Sequence, residues 1–155
     1  MYNLSYPTRE QYMEALKLIQ ESIEDKKVDV MLYEWLIANI PAQLLPNQQL
    51  QSIKDTVISI KEDKSRHHNT LKDLYKQLTR KEPKSKEKEF TIPGCFAYAI
   101  IEALRGELEA AKKYASIIAG LPSNYYRDKI FEILIDELRH ANVCIYVYTV
   151  IQTKE

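Results

Sequence analysis

Glycine is nearly absent from this 155-residue chain, at three positions, and only six prolines interrupt it. With Leu, Ile, Ala, Glu and Lys abundant, that scarcity favours helix over a turn-rich fold. Cysteine is also scarce. Cys95 and Cys144 have no CxxC spacing, which argues against a disulfide framework and points to a reducing cytosol and a cytoplasmic location. Both read as small buried hydrophobes. Neither sign of charge is in excess, with 22 acidic and 22 basic residues. No global field therefore steers the protein to nucleic acid or anionic lipid, and neither is expected as a partner. No apolar run approaches the roughly 20 residues of a membrane span. The opening "MYNLSYPTREQ" lacks a basic region followed by an apolar core, so no signal peptide is expected. A Ser-His-Asp set, a phosphate-binding glycine loop and zinc-finger spacing are all missing.

What is present is helical periodicity. Four long segments carry apolar residues at alternating steps of three and four, the pattern of helices packed in a bundle. The first is expected at about residues 8–39, opened by a capping box of Thr8 and Gln11. Its seam is Leu16, Ile19, Ile23, Lys26, Val30, Tyr33, Ile37 and Ile40, and "IPAQLLPN" ends it. The second, about 48–79, has the seam Leu50, Ile53, Val57, Ile60, Lys64, His67, Leu71, Leu74 and Leu78. The third, about 93–119, has Ile100, Leu104, Glu107, Ala111, Tyr114 and Ile118, with Gly120 as a candidate C-cap. The fourth, about 123–151, opens at Ser123 as N-cap and carries Tyr126, Ile130, Ile133, Glu137, His140, Cys144, Val147 and Ile151.

"VCIYVYTVI" at 143–151 is β-branched enough for a strand, but the seam runs through it in register, so helix is preferred. Its off-seam residues Ile145, Tyr146 and Val150 then need a cover, and a second copy of the chain is the simplest one. Trp35, also off the seam, is expected to cover the bundle or a subunit contact. Short turns join helices one to two and three to four, giving two antiparallel hairpins. The lysine-rich connection at about 80–92 reads as solvated chain, and is long enough to cross the length of a bundle. The expectation is a single all-α domain over 1–155, a four-helix bundle with one long crossover.

The seams carry four fully charged residues, Lys26, Lys64, Glu107 and Glu137, each near the middle of its helix. His67 and His140 join them, and all six should fall at one height in the core. Isolated buried charges are very costly, so these must pair or bind something. The hairpins also repeat each other. Lys26 precedes Tyr33 by seven residues, as Glu107 precedes Tyr114; "DKSRH" at 63–67 matches "DELRH" at 136–140, each followed eight residues on by Tyr75 or Tyr148. Asp63 and Asp136 occupy matching positions, either as surface residues or as partners that orient a histidine across the pair. Tyr33 and Tyr114 read as core aromatics rather than redox tyrosines. His68, next to His67 but on another face, reads as solvated.

One Glu on each of two helices with Glu-x-x-His on each of the other two is the ferritin-like di-iron pattern. Through "RGELEAAKKY" and "IDELRHA" the chain resembles the rubrerythrin and ferritin-like family over nearly its whole length. The resemblance implies a ferritin-like bundle in which Glu107, Glu137, His140 and His67 match metal ligands. Lys26 and Lys64 stand where that family has glutamates, and the paired-cysteine rubredoxin module of full rubrerythrins is missing. Two ferrous ions balance four glutamates; two ammonium groups balance two. The layer is therefore expected to be neutral without a metal, and the protein to be a non-catalytic structural or interaction component with no cofactor. The alternative is an iron-dependent oxidoreductase or iron-binding protein keeping one iron or zinc ion at His67, Glu107, Glu137 and His140.

Overall fold

The structure, a computed structural model, describes residues 6–154. Residues 1–5 and 155, which the expected domain and the expected leaderless start include, lie outside the described residues. The described chain is all-helical, with no strand: α1 Arg9–Ala38, a short 3₁₀ turn at Ala42–Leu44, α2 Asn47–Thr79, α3 Phe96–Gly120 and α4 Asn124–Gln152. Residues 143–151 are helical throughout, in keeping with their seam.

The helix ends follow local chemistry. Thr8 accepts from the Gln11 backbone N–H at 3.1 Å while the Gln11 side chain accepts from the Thr8 N–H at 2.8 Å, the reciprocal capping box read from the sequence. Other end signals behave differently. Ser123 holds the N-cap position of α4, but its hydroxyl makes no capping bond. α3 starts at Phe96 rather than near Pro93, after Cys95, so the crossover spans residues 80–95. Cys95 is exposed there, unlike the buried thiol expected; Cys144 is buried. Gly120 does not leave α3 through a left-handed cap: it is the last helical residue, and its φ is not positive. The space is what requires glycine. A Cβ at Gly120 would lie 2.2 Å from the Gln11 carbonyl oxygen and 2.8 Å from the Ala15 Cβ, where α3 ends against the start of α1.

Packing joins α1 to α2 and α3, and α4 to α3 and α2. The apolar interior falls into two compartments. One holds Tyr33 and Leu36 of α1, Ile53, Val57 and Ile60 of α2, Ala99, Ile100 and Ala103 of α3, and Cys144, Val147 and Ile151 of α4. The other joins Ala15, Ile19 and Ile23, Leu71 and Leu74, Tyr114 and Ile117, and Ile130 and Ile133. Trp35 and Val150 pack partly buried against the first compartment. Trp35 thus covers the bundle, one of the two places expected for it. Between the compartments lie the charged seam residues.

Candidate functional site

Each helix sends a charged side chain inward at mid-length because the seam passes through Lys26, Lys64, Glu107 and Glu137. All four are at most 2 % exposed, as are His67 and His140. Lys64 Nζ lies 2.5 Å from Glu107 Oε2 and 2.8 Å from Glu137 Oε2. Lys26 Nζ lies 2.8 Å from that same Glu137 oxygen. The lysines of α1 and α2 thus meet the glutamates of α3 and α4, so each buried ion has an opposite partner.

Asp29 completes the inner set. One of its oxygens is 3.2 Å from Lys26 Nζ and 3.7 Å from Lys64 Nζ. Sequence reasoning missed it, since Asp29 lies off the seam and its repeat position in α3 is Ala110. The i, i+3 spacing from Lys26 was the only signal. Tyr33 donates to Glu107 Oε1 at 2.5 Å and sits 3.5 Å from the Cys144 sulfur. The lysine ammonium groups also approach the tyrosine rings: Lys26 lies 5.4 Å from the Tyr114 centroid, Lys64 5.9 Å from that of Tyr33.

The aspartates of the repeat cross between α2 and α4. His67 Nε2 lies 2.8 Å from Asp136 Oδ2, and His140 Nε2 lies 2.8 Å from Asp63 Oδ2. Arg66 and Arg139, the shared arginines of "DKSRH" and "DELRH", each reach both aspartates. Their recurrence in the repeat was a signal the sequence reading did not use. His68 corrects another expectation: it is half-buried, its Nδ1 2.9 Å from the Ile23 carbonyl oxygen, joining α2 to α1. Glu24 is also buried, paired with Lys27 at 3.2 Å, outside the central layer.

These contacts fix the charge states. Burial opposes ionisation of Glu137, but the Lys26 and Lys64 ammonium groups overcome it and hold the carboxyl well below 4.5. Burial would lower Lys26, yet the groups around it hold it well above 10.5. Tyr114 is among them, but burial raises its own hydroxyl and keeps it protonated, so at neutral pH Asp29, Glu137 and Glu107 carry that effect. Tyr33 is pushed up by burial and then by Glu107 and Cys144, and stays a neutral donor. Burial lifts the Cys144 thiol to about 11, which leaves it unreactive.

A carboxylate only accepts, so Asp136 and Asp63 place a proton on each histidine Nε2 and leave Nδ1 facing the layer. Neither Nδ1 nor Glu137 Oε1 has a hydrogen-bond partner. His67 Nδ1 is only 3.2 Å from that oxygen. Two lone pairs meet there, and the contact becomes attractive when a proton or a cation lies between them. Glu107, Glu137 and His140 each bring one potential ligand atom within 4.8 Å of the others. The donor set does not fit a dinuclear centre, however. It has two carboxylates where four are needed, and ammonium groups hold the inner oxygens. A divalent ion about 4–6 Å from each ammonium would meet repulsion on the order of several kcal/mol per lysine.

Among the described residues no helix is long and apolar enough to cross a membrane. Comparison with protein families, curated proteins and solved structures returned no match to this chain.

Proposed function

We propose that this chain is a ferritin-like bundle of two antiparallel hairpins, related to the rubrerythrins, whose metal centre has become an ion-pair layer. Its role is then structural or interactive rather than catalytic. One observation carries the reading: Lys64 Nζ sits between Glu107 Oε2 and Glu137 Oε2, at 2.5 and 2.8 Å, as a cation bridging two carboxylates would. The ends of α1 and α4 cluster with the starts of α2 and α3, which supports the antiparallel arrangement. Loss of two glutamates and gain of two ammonium groups set two buried carboxylates against two buried ammonium groups, with the partly exposed Asp29 at the edge, whereas either change alone would strand a buried charge.

Metal analysis of protein produced with added iron tests this. The expected result is no retained iron in the natural chain and uptake by the Lys26→Glu/Lys64→Glu variant, with oxygen consumption on ferrous addition. A natural chain carrying two irons overturns the proposal, and so does a double variant that folds yet takes up none.

A second reading rests on the unpartnered His67 Nδ1, His140 Nδ1 and Glu137 Oε1. In it, one iron or zinc ion is held by Glu107, Glu137, His140 and His67, with the lysines neutral or withdrawn, and would supply Lewis-acid or redox chemistry. One equivalent of metal per chain in the same measurement selects it.

The partner we propose is a second copy docking along α4. Phe131, Ile135, Leu138 and Ile145 are 53, 47, 40 and 49 % exposed. With Asn142 among them they follow steps of three and four, a second apolar seam on a helix whose first seam is already buried.

A further inference from the structure

We propose that the groove beneath the start of the crossover binds a free long-chain fatty acid. Leu16 belongs to the apolar seam of α1, yet it is only half-buried, and Met13 one turn earlier is 55 % exposed. Both line a cavity of about 810 Å³ between the first half of α1, the last turns of α2 and the crossover. Tyr12, Tyr75 and Leu78 complete an apolar floor. The volume falls in the range of small-molecule sites. From Tyr12 to Glu24 the groove follows α1 for about 18 Å, at 1.5 Å per residue, a length that suits an extended acyl chain.

The rim is cationic. Lys81, Lys84, Lys86 and Lys88 of the crossover and Lys17 of α1 line the cavity. Successive side chains of an extended segment point to opposite sides, and the crossover uses this alternation. Lys84 and Lys86 face the groove, while Ser85 and Glu87 line a separate pocket with Lys27 and Met31. Within "KSKEK" Lys84 and Lys86 thus take one side and Ser85 and Glu87 the other, while Lys88 lines both.

The acidic residues of the groove are engaged elsewhere. Glu24 pairs with Lys27 at 3.2 Å and Glu21 lies 3.8 Å from Lys113, while Lys88 is bound to Asp25. Lys17, Lys81, Lys84 and Lys86 have no ionic partner within 4.0 Å among the described residues. A wet apolar floor under several unpaired ammonium groups is complementary to a ligand with an apolar body and one anionic end. A carboxylate head meets the rim lysines by charge-assisted hydrogen bonds, and the chain covers Met13, Leu16 and Leu78. The site lies outside the central ion layer and stands whether or not that layer takes up metal.

The test is a titration of the full chain with cis-parinaric acid, a fluorescent long-chain carboxylate, competed with oleate. Saturable binding of one equivalent per chain is expected, weakening with salt. Lys84→Glu/Lys86→Glu should weaken it about tenfold or more, and oleyl alcohol should compete about tenfold less well than oleate. Leu16→Glu should weaken binding through the floor. Since Lys84 and Lys86 are exposed, an unchanged melting temperature shows that their variant is folded. No saturable binding overturns the proposal, as does equal competition by alcohol and acid. Binding to anionic vesicles without binding of free oleate also overturns it and assigns the lysines to a lipid surface.

Discussion

Lys64→Met removes the one ammonium that touches both Glu107 and Glu137. Methionine fills much of the space of the lysine stem, so packing changes little while the charge disappears. Glu107 then loses its partner at 2.5 Å and keeps only the Tyr33 hydroxyl, while Glu137 keeps Lys26 and loses Lys64. Breaking a buried pair from one side leaves an uncompensated charge and costs about 3–5 kcal/mol. At about 2–4 °C per kcal/mol for a domain of this size, the melting temperature should fall by roughly 6–20 °C. Part of this loss is the stranded carboxylate rather than the missing bond. Lys64→Met/Glu107→Gln should therefore recover most of it, because Lys26 with Glu137 stays neutral. Calorimetry at pH 7 measures both variants. A single variant within about 2 °C of the natural chain would mean that the layer is wet enough to solvate Glu107. No recovery in the double variant would show that the loss comes from packing instead.

The layer also sets a pH profile. Glu137 is lowered in the fold, so its contribution is fully present above 4.5 and is lost as pH falls through the lowered value. Lys26 is raised, so its contribution is fully present below 10.5 and is lost as pH rises through the raised value. Melting temperature should be flat across neutral pH and fall at both extremes; a step between about pH 6 and 8 would instead put a histidine in control. Gly120→Ala should destabilise by about 1–3 kcal/mol in denaturant titration, despite the better helix propensity of alanine, because its Cβ meets the Gln11 carbonyl at 2.2 Å; a more stable variant would show that α1 and α3 part freely there. Leu138→Lys with Ile145→Lys should turn a dimer into a monomer in sedimentation without lowering monomer stability, since both side chains are about half exposed; a natural chain that is monomeric at high concentration would leave the α4 seam without that role.

Much of this architecture was readable residue by residue. The three-and-four spacing of apolar residues gave four helices, because a helix must bury one stripe and that need is local to each segment. The Thr8–Gln11 cap was legible for the same reason, as a bond between residues three apart. The two halves of the chain repeat Asp, Arg and His at matching positions, which already brought Lys26, Lys64, Glu107, Glu137, His67 and His140 together as one layer. What the sequence left open were contacts between segments distant along the chain. Asp29 bonds Lys26 locally, but it reaches Lys64 only because α1 and α2 converge there. His68 is held by a carbonyl of α1. Gly120 answers to Gln11, not to its own backbone angles. The direction of the crossover lysines likewise depends on what the segment passes over. Periodicity specifies which face of a helix is buried, since that follows from 3.6 residues per turn. Which atom meets which across the interior depends on the height and rotation of packed helices, and those are set only when all four come together.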